Sequence, residues 1–376
     1  LNEYFYNLTV GYDKETHLVT HMEYVDSPLM FNENYAYRGS MSKTMVNHFK
    51  EFSNFYKLNI PNFYKLNIPN PKVLEIGSND GVFLQNWKTK TTFAVEPCKN
   101  FADETNERGY KTYNEFFTLD LSEHIVEEQG KMDLIFSANC ICHIPDLDQT
   151  FKAVANLLSD EGIFIMEDPS LAQMINSNSY DQIYDEHPHV FSIIALKNLV
   201  ERNGLLITGV ENTSVHGGSN RVWIKKFNKD IIPSPTVQQN IEFEKILGLD
   251  KEETFFKFAD KVEQSKFDLK NLLVRCKELG KKVISYGATS KSTTIFNYCE
   301  IGPDLIEYII DTTPEKIGKL APGSHIPIIN TERIEDDADV VFLGAWNFLK
   351  EIMDKEYLFV KRGGKFLTHV PLIKFV

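Results

Sequence analysis

The stretch Val73-Leu74-Glu75-Ile76-Gly77-Ser78-Asn79-Asp80-Gly81 decides how this chain is read. An apolar run carries an acid near its end, two glycines follow within a tight turn, and an amphipathic segment, Val82 to Trp87, begins at once. The pattern predicts a strand, a Gly-rich turn and a helix. Gly77 and Gly81 can take backbone angles closed to other residues and let a ligand approach the main chain. A helix N-terminus behind them would offer N–H groups to a polar ligand. The spacing is neither G-x-G-x-x-G nor G-x-x-x-x-G-K-S/T, so a phosphate-cradling loop is the weaker reading. A second run, Phe93-Ala94-Val95-Glu96-Pro97, ends in an acid about 20 residues after the turn, the distance at which Rossmann-like units place the acid that binds ribose hydroxyls.

Glu75-x-Gly77-x-Asn79-x-Gly81 followed by Glu96 resembles the S-adenosylmethionine (SAM) site of class I methyltransferases. The turn alone is moderately specific, and Glu96 strengthens it. The competing reading is an ordinary strand and turn with structural glycines.

The chain has 376 residues, enough for two or three domains, and its 42% hydrophobic and 25% charged residues are those of an ordinary globular protein. No run approaches the roughly 18 apolar residues of a membrane span, and no signal peptide is visible. The net charge of -13 argues against a nucleic-acid-coating protein and leaves room for a local basic pocket. The expectation is therefore a cytoplasmic protein with no nucleic-acid or membrane partner. Its cysteines, Cys98, Cys140, Cys142, Cys276 and Cys299, are scattered and contain no C-x-x-C, so they read as free thiols.

Three segments are expected: 1–70, an N-terminal part plus linker; 71–232, a doubly wound α/β domain; and 233–376, a helical connection and a second Rossmann-like α/β domain. Phe55-Tyr56-Lys57-Leu58-Asn59-Ile60-Pro61-Asn62 recurs word for word as residues 63 to 70. One tandem copy is not a repeat architecture. Its two prolines argue against a long helix through it. In the middle segment, strands are expected at 73–76, 92–95, 132–137, 162–167, 205–210 and 221–226, with helices at 82–87, 101–108, 147–158 and 194–202. The residues past the strand ends are Gly77 to Gly81, Glu96, Asn139 to His143, Asp168-Pro169 and His216, which should face one crevice. Residues 235–279 read as one long charged helical connection. After it, strands are expected at 282–286, 306–311, 340–343 and 363–367. The turn Gly287 to Thr294, with Lys291, reads either as an anion site or as a capped helix beside a solvated lysine.

Tyr184-Asp185-Glu186-His187-Pro188-His189 is the most unusual cluster, read as a loop. Histidine is the side chain best placed to move protons near neutral pH, and Glu186 could orient it. His216-Gly217-Gly218-Ser219 and His143, after Asn139-Cys140-Ile141-Cys142, are two further clusters. A lone histidine in any of these places is more often structural than catalytic. Metal ligation by these histidines is the weakest reading, because none has i, i+4 spacing and Pro188 separates two of them.

The order of motifs is more specific than any one of them. Residues 32–42 (Asn32-Glu33-Asn34-Tyr35-Ala36-Tyr37-Arg38-Gly39-Ser40-Met41-Ser42), the Gly77–Gly81 turn, Glu96-Pro97, Asn139 with His143-Ile144-Pro145-Asp146, Glu167-Asp168-Pro169, Tyr180 to His187, His216 to Ser219, Tyr286-Gly287-Ala288 with Lys291, Asn297-Tyr298-Cys299, Ile301 to Asp304 and Pro322 to Pro327 together resemble the nucleotide-sugar C-methyltransferases. These include the 3-C-methyltransferases of TDP-4-keto-deoxy sugars. The resemblance spans nearly the whole chain. It implies a small N-terminal zinc-binding domain, a central class I SAM domain and a C-terminal α/β domain that helps to hold the nucleotide sugar. It implies SAM bound by Glu75, Gly77, Asn79, Gly81, Glu96 and Asn139, with S-adenosylhomocysteine as product. His187 would be the base, with Tyr184, Glu186 and His143 positioning the sugar or stabilising the enolate. Tyr37, His216, Ser219, Lys291 and His325 would contact a TDP- or GDP-linked 4-keto-deoxy sugar. A monomer or homodimer is expected.

Two departures stand out. The family's N-terminal C-x-x-C should fall near Tyr12 and Glu15, yet no cysteine precedes Cys98, so the N-terminal segment reads as a remnant and neither zinc nor another metal is expected. Asp185 and Pro188-His189 also differ from the family's usual residues, which leaves the sugar open. The alternatives are a SAM-dependent O- or N-methyltransferase on a related sugar, or a non-catalytic SAM-binding protein.

Overall fold

All four residues of β1 (Val73–Ile76), the first strand of the largest sheet, are buried, as a strand covered on both faces requires. The computed structural model describes residues 3–59, 70–330, 334 and 338–376. By its contacts the chain divides into two units. One comprises Gly11–Ser170 and Pro188–Asp250; the other comprises Leu1–Val10, Leu171–His187 and Lys251–Val376. This division cuts across the three segments expected from the sequence.

In the first unit, β1 is followed by β2 (Thr92–Val95), β3 (Lys111–Tyr113), β4 (Met132–Ala138), β5 (Leu158–Pro169), β6 (Leu205–Thr213) and β7 (Ser219–Lys226). They form one seven-stranded sheet in the order β3-β2-β1-β4-β5-β7-β6. Strands β1 to β5 pair in parallel. β7 enters antiparallel between β5 and β6. The alternation of side chains along each strand sends residues to two cores. Leu74, Ile76, Ile135, Phe164 and Met166 pack with Phe151, Ile193 and Leu199 on one face. Val73, Leu134, Phe136, Ile163 and Ile165 pack with Met45, Phe49, Phe52 and Tyr56 on the other. The N-terminal helix Lys43–Asn59 thus belongs to the core of this sheet. It takes in the first five residues of the duplicated segment, and residues 60–69 lie outside the described residues.

The sequence reading differs from the structure most clearly after β1. Residues 82–87 do not form the expected α-helix; only Leu84–Asn86 makes a single 3-10 turn. The backbone closes short bonds, Asn86 N–H to the Phe83 carbonyl and Trp87 N–H to that of Leu84, and side chains share the same carbonyls. Asn86 Nδ2 donates to the carbonyls of Val82 and Phe83, and the Tyr110 hydroxyl donates to that of Leu84. The bend buries Phe83, which stacks on Phe136 at 4.1 Å. The elements that escaped the reading include the short strand β3 and the helices Leu119–Gln129 and Leu171–Ser177. The helical connection is two helices, Pro235–Leu247 and Glu252–Glu278, one in each unit. Gly248 ends the first in a left-handed conformation (φ 76°).

The second unit holds β8 (Val283–Tyr286), β9 (Ile309–Ile310), β10 (Ile328–Ile329), β11 (Val340–Leu343), β12 (Lys365–Thr368) and β13 (Lys374–Phe375). Their order is β10-β9-β8-β11-β12-β13, parallel except for β13. The expected strand at 306–311 shortens to Ile309–Ile310. No helix among the described residues is long and apolar enough to cross a membrane.

Candidate active site

The C-terminal edge of the first sheet gathers most of the residues singled out from the sequence. Gly77 (φ 72°) and Gly81 (φ 75°) take left-handed angles, and so does Asn79 (φ 48°), a residue type that tolerates them. A Cβ on Gly77 would lie 2.5 Å from Cys140 Sγ, so the turn is packed against the end of β4. The Asn79 N–H donates to Glu96 Oε2 at 2.7 Å and the Cys98 N–H donates to Glu96 Oε1 at 2.9 Å. Each carboxylate oxygen keeps a second acceptor site. Burial pushes the Glu96 carboxyl upward, against these two N–H groups. Glu75, directly under the turn, is raised well above the usual carboxylate range by burial and by the charges of Glu96 and Asp80. Glu75 Oε2 and Ser78 Oγ are buried without a hydrogen-bond partner among the described residues. Two satisfied but unsaturated carboxylate oxygens and two orphaned polar atoms around a glycine turn fit a nucleoside-containing cofactor.

A strap from the N-terminal region lies on this turn. Asn79 Oδ1 accepts the Gly39 N–H at 2.9 Å, and Asn79 Nδ2 donates to the Tyr37 carbonyl at 2.9 Å. The Ser40 hydroxyl donates to Asp80 Oδ2 at 2.5 Å. Arg38 bonds Glu104 at 2.8 Å and lies over the Phe101 ring. Phe31 stacks on His143, with ring centroids 5.3 Å apart and planes 12° apart. Of this strap only Tyr37 had been named as a site residue; its ring is half exposed.

Past β4, the Asn139 N–H donates to the Glu167 carbonyl at 2.7 Å, and Asn139 too has a positive φ (49°). His143 follows in a 3-10 turn, and burial lowers its pKa to about 4, so the ring is neutral near pH 7. Asp168, at the end of β5, accepts the Cys142 N–H at 3.3 Å, and burial raises its carboxyl to about 7. Next to it, Glu167 is bound by His48 at 2.7 Å and by Arg221 at 3.4 Å, and both Glu167 and Arg221 are buried. Asp168 had been expected at the crevice without a role; His48 and Arg221 were not among the expected site residues, since no local spacing links them. His216 sits in the turn Val215–Gly217 at φ 54°. Ser219 is fully buried and its hydroxyl donates to the Val215 carbonyl at 3.2 Å.

The cluster Tyr184 to His189 is divided between the units. His189 is in a short strand, not a loop; it pairs with Thr20 and its Nε2–H donates to the Pro145 carbonyl at 3.2 Å. Burial lowers its pKa to about 4. Tyr184, Glu186 and His187 belong to the second unit. The His187 N–H closes a turn onto the Tyr184 carbonyl at 2.9 Å, with Asp185 and Glu186 at its tip. His187 is buried. Its Nδ1 is 3.1 Å from the Gln182 carbonyl, and its Nε2 is 2.7 Å from the Tyr184 hydroxyl. A carbonyl can only accept, so Nδ1 carries the proton and Nε2 presents its lone pair, with Tyr184 as donor. Also in this unit, Lys291 lies over the Trp346 ring at 5.1 Å. His325 bonds Glu3 at 2.6 Å on the surface.

Aligned over 357 residues, the chain is 30% identical to the C-methyltransferase NovU of Streptomyces niveus, covering 94% of this chain and 84% of that protein. This chain belongs to the C-methyltransferase family. Family models described as a methyltransferase domain and a C-methyltransferase C-terminal domain match residues 48–209 and 214–371. The seven-stranded unit of this methyltransferase is accordingly a class I fold. Among solved structures, magnesium protoporphyrin IX methyltransferase from Synechocystis PCC 6803 with bound SAM is similar at 12% identity, with 48% of this chain and 80% of that chain covered and a TM-score of 0.34. A SAM-dependent methyltransferase from Clostridium acetobutylicum is similar at 17% identity, with 48% and 92% covered and a TM-score of 0.35.

Proposed function

We propose that this C-methyltransferase methylates the carbon next to the ketone, C3, of a nucleotide-linked 4-keto-deoxy sugar, with His187 as the base. The observation that carries this reading is the buried His187, whose Nδ1–H is held by the Gln182 carbonyl and whose Nε2 faces Tyr184. A carbon nucleophile needs a base with a fixed lone pair and donors for the charge that develops on the carbonyl oxygen.

The Gly77–Gly81 turn would hold SAM, with Glu96 accepting from its ribose hydroxyls, and bound SAM would supply an electrophilic methyl group, with S-adenosylhomocysteine as the leaving product. The chain's own residues do the rest. Nε2 takes the proton alpha to the ketone, and the C–H pair becomes the enolate. The enolate carbon then forms the new C–C bond. Before substrate enters, Tyr184 caps Nε2. Once Nε2 holds a proton it no longer accepts from Tyr184, and that hydroxyl is free to donate to the enolate oxygen. His143, neutral near pH 7, acts as an N–H donor and not as a cation.

The test is methyl transfer from labelled SAM to a TDP-linked 4-keto-6-deoxy sugar in deuterated water, with His187→Ala alongside. Carbon methylation by the wild type, together with deuterium exchange alpha to the ketone that the variant loses, is the expected result. A product methylated on oxygen or nitrogen, or exchange undiminished in the variant, overturns the reading.

A further inference from the structure

The C-terminal ends of three strands of the second sheet lead to one side chain to which the sequence reading gave no role. Asp181 is fully buried. Its Oδ2 accepts the Trp346 indole N–H at 2.5 Å, and His369 Nε2 lies 3.5 Å from the same oxygen. Its Oδ1 has no hydrogen-bond partner among the described residues. Trp346 follows β11, His369 follows β12, and Lys291 stands in the first turn of the helix after β8. In an open α/β sheet this edge is where a ligand sits. Here the chain places a carboxylate of its own there. Burial pushes the carboxyl upward, but His369, Lys291 and the Trp346 N–H outweigh it and hold it below its ordinary value, so Asp181 is ionised.

Asp181 is the middle residue of the 3-10 turn Tyr180–Gln182. The carbonyl of the next residue, Gln182, is the group that receives His187 Nδ1–H. The Gln182 side chain is itself held, its Nε2 donating to Ser179 Oγ at 2.9 Å. We propose that Asp181 is a positioning residue for His187: anchored by Trp346 and His369, it fixes the Tyr180–Gln182 turn so that the Gln182 carbonyl keeps the proton on Nδ1 and leaves Nε2 as the basic nitrogen. The partner of one ring nitrogen decides which tautomer is present, so a group that orients that partner sets the chemistry of the other nitrogen. Its consequence for catalysis rests on the reading of His187 as base. The tautomer itself does not.

The experiment uses the full chain with isotope-labelled histidine. Nitrogen NMR is recorded where imidazole is neutral, and His187 is assigned by its absence in His187→Gln. The wild type should show a single His187 tautomer protonated at Nδ1. Asp181→Asn and Trp346→Phe should both lose that single signature. Both should lower kcat about tenfold or more, part of the roughly 10²–10⁴-fold that a general base contributes, with KM for the sugar nucleotide little changed. An unchanged tautomer in a folded variant overturns the proposal. If Asp181→Asn fails to fold in a thermal melt, Trp346→Phe, which removes only the indole donor, decides. His187→Gln in the same turnover and exchange assays keeps the two ideas apart. If it retains exchange, the base reading falls while the NMR still decides on Asp181.

Discussion

The two larger sheets of this protein repeat one plan with different outcomes at the first turn. Around β1 and around β8 the strand order is the same, with the second strand and then the third on one side and the next two strands on the other. The acid after the second strand does the same work in both. Glu96 accepts the N–H of Asn79 in the first turn and the N–H two residues ahead, at Cys98. Asp311 accepts the N–H of Ala288 at 2.7 Å and, two residues ahead, of Thr313 at 2.8 Å. The turns then diverge. After β8 the helix Ser290–Tyr298 closes its own N-terminus with a capping box between Thr289 and Ser292. After β1 there is no such helix, Ser78 and Glu75 keep orphaned buried oxygens, and a strap from residues 37–40 lies on the turn. The second turn satisfies its own helix N-terminus, although Ser285 Oγ beneath it, at the place Glu75 holds in the first sheet, is also buried without a hydrogen-bond partner among the described residues. What separates the first turn is therefore the strap laid on it and the absence of a self-capped helix, the features on which its reading as the SAM turn rests.

The sharpest test of that difference is at the glycines. Gly77→Ala places a Cβ at 2.5 Å from Cys140 Sγ at φ 72°, and Gly287→Ala places one at 2.9 Å from Ala345 Cβ at φ 92°. Each should cost about 1–3 kcal/mol in a thermal or chemical melt. Only the first should also abolish SAM binding in calorimetry; equal loss in both would erase the distinction between the turns. Glu96→Gln should weaken SAM binding about tenfold, the loss of one charge-assisted hydrogen bond, whereas Asp311→Asn should leave it unchanged.

Glu96 also has a signature in pH. Its folded pKa is raised above the unfolded value. Its proton therefore favours the folded state at low pH, and that contribution is lost as pH rises through the folded value. Stability curves of the wild type and Glu96→Gln should diverge with rising pH across the carboxylate range, the wild type losing more. Parallel curves would show that burial does not shift this acid.

Smaller effects should separate strap from cap. Ser40→Ala, which removes the hydroxyl bond to Asp80, should raise the SAM Kd by a factor of about 3–10 with the melt little changed, since one hydrogen bond is worth about 1 kcal/mol. Thr289→Ala should do the opposite, lowering stability by about 1 kcal/mol and leaving SAM affinity alone.

Much of the first sheet was legible because a buried parallel strand is a short apolar run with an acid or glycine at its end. Val73–Ile76, closed by Gly77, and Thr92–Val95, closed by Glu96, announce themselves in that way, and Met132–Ala138 by its apolar run alone. β3 did not, because three residues at a sheet edge have no periodicity to read. The helix expected after Gly81 failed for a different reason. Its apolar residues satisfy a helical pattern, but the backbone closes into a 3-10 turn whose carbonyls also accept from Asn86 and Tyr110, and Phe83 turns into the aromatic core. The cluster Tyr184 to His189 looked like one site because it is continuous in sequence. Its two histidines are instead held by different partners, His187 by Gln182 and Tyr184, His189 by Pro145.

The sequence by itself determined the β1 turn, the acid Glu96 at the end of β2 and the family, since each rests on residue types at fixed local spacing. The tertiary structure alone decided which groups meet across long separations. Trp346 reaches Asp181 across 165 residues, Arg221 reaches Glu167 across 54, and Ser40 reaches Asp80 across 40. Such contacts are set by how sheets pack and chains cross over. A hydrogen bond between distant residues leaves no periodic trace in either of the segments that make it.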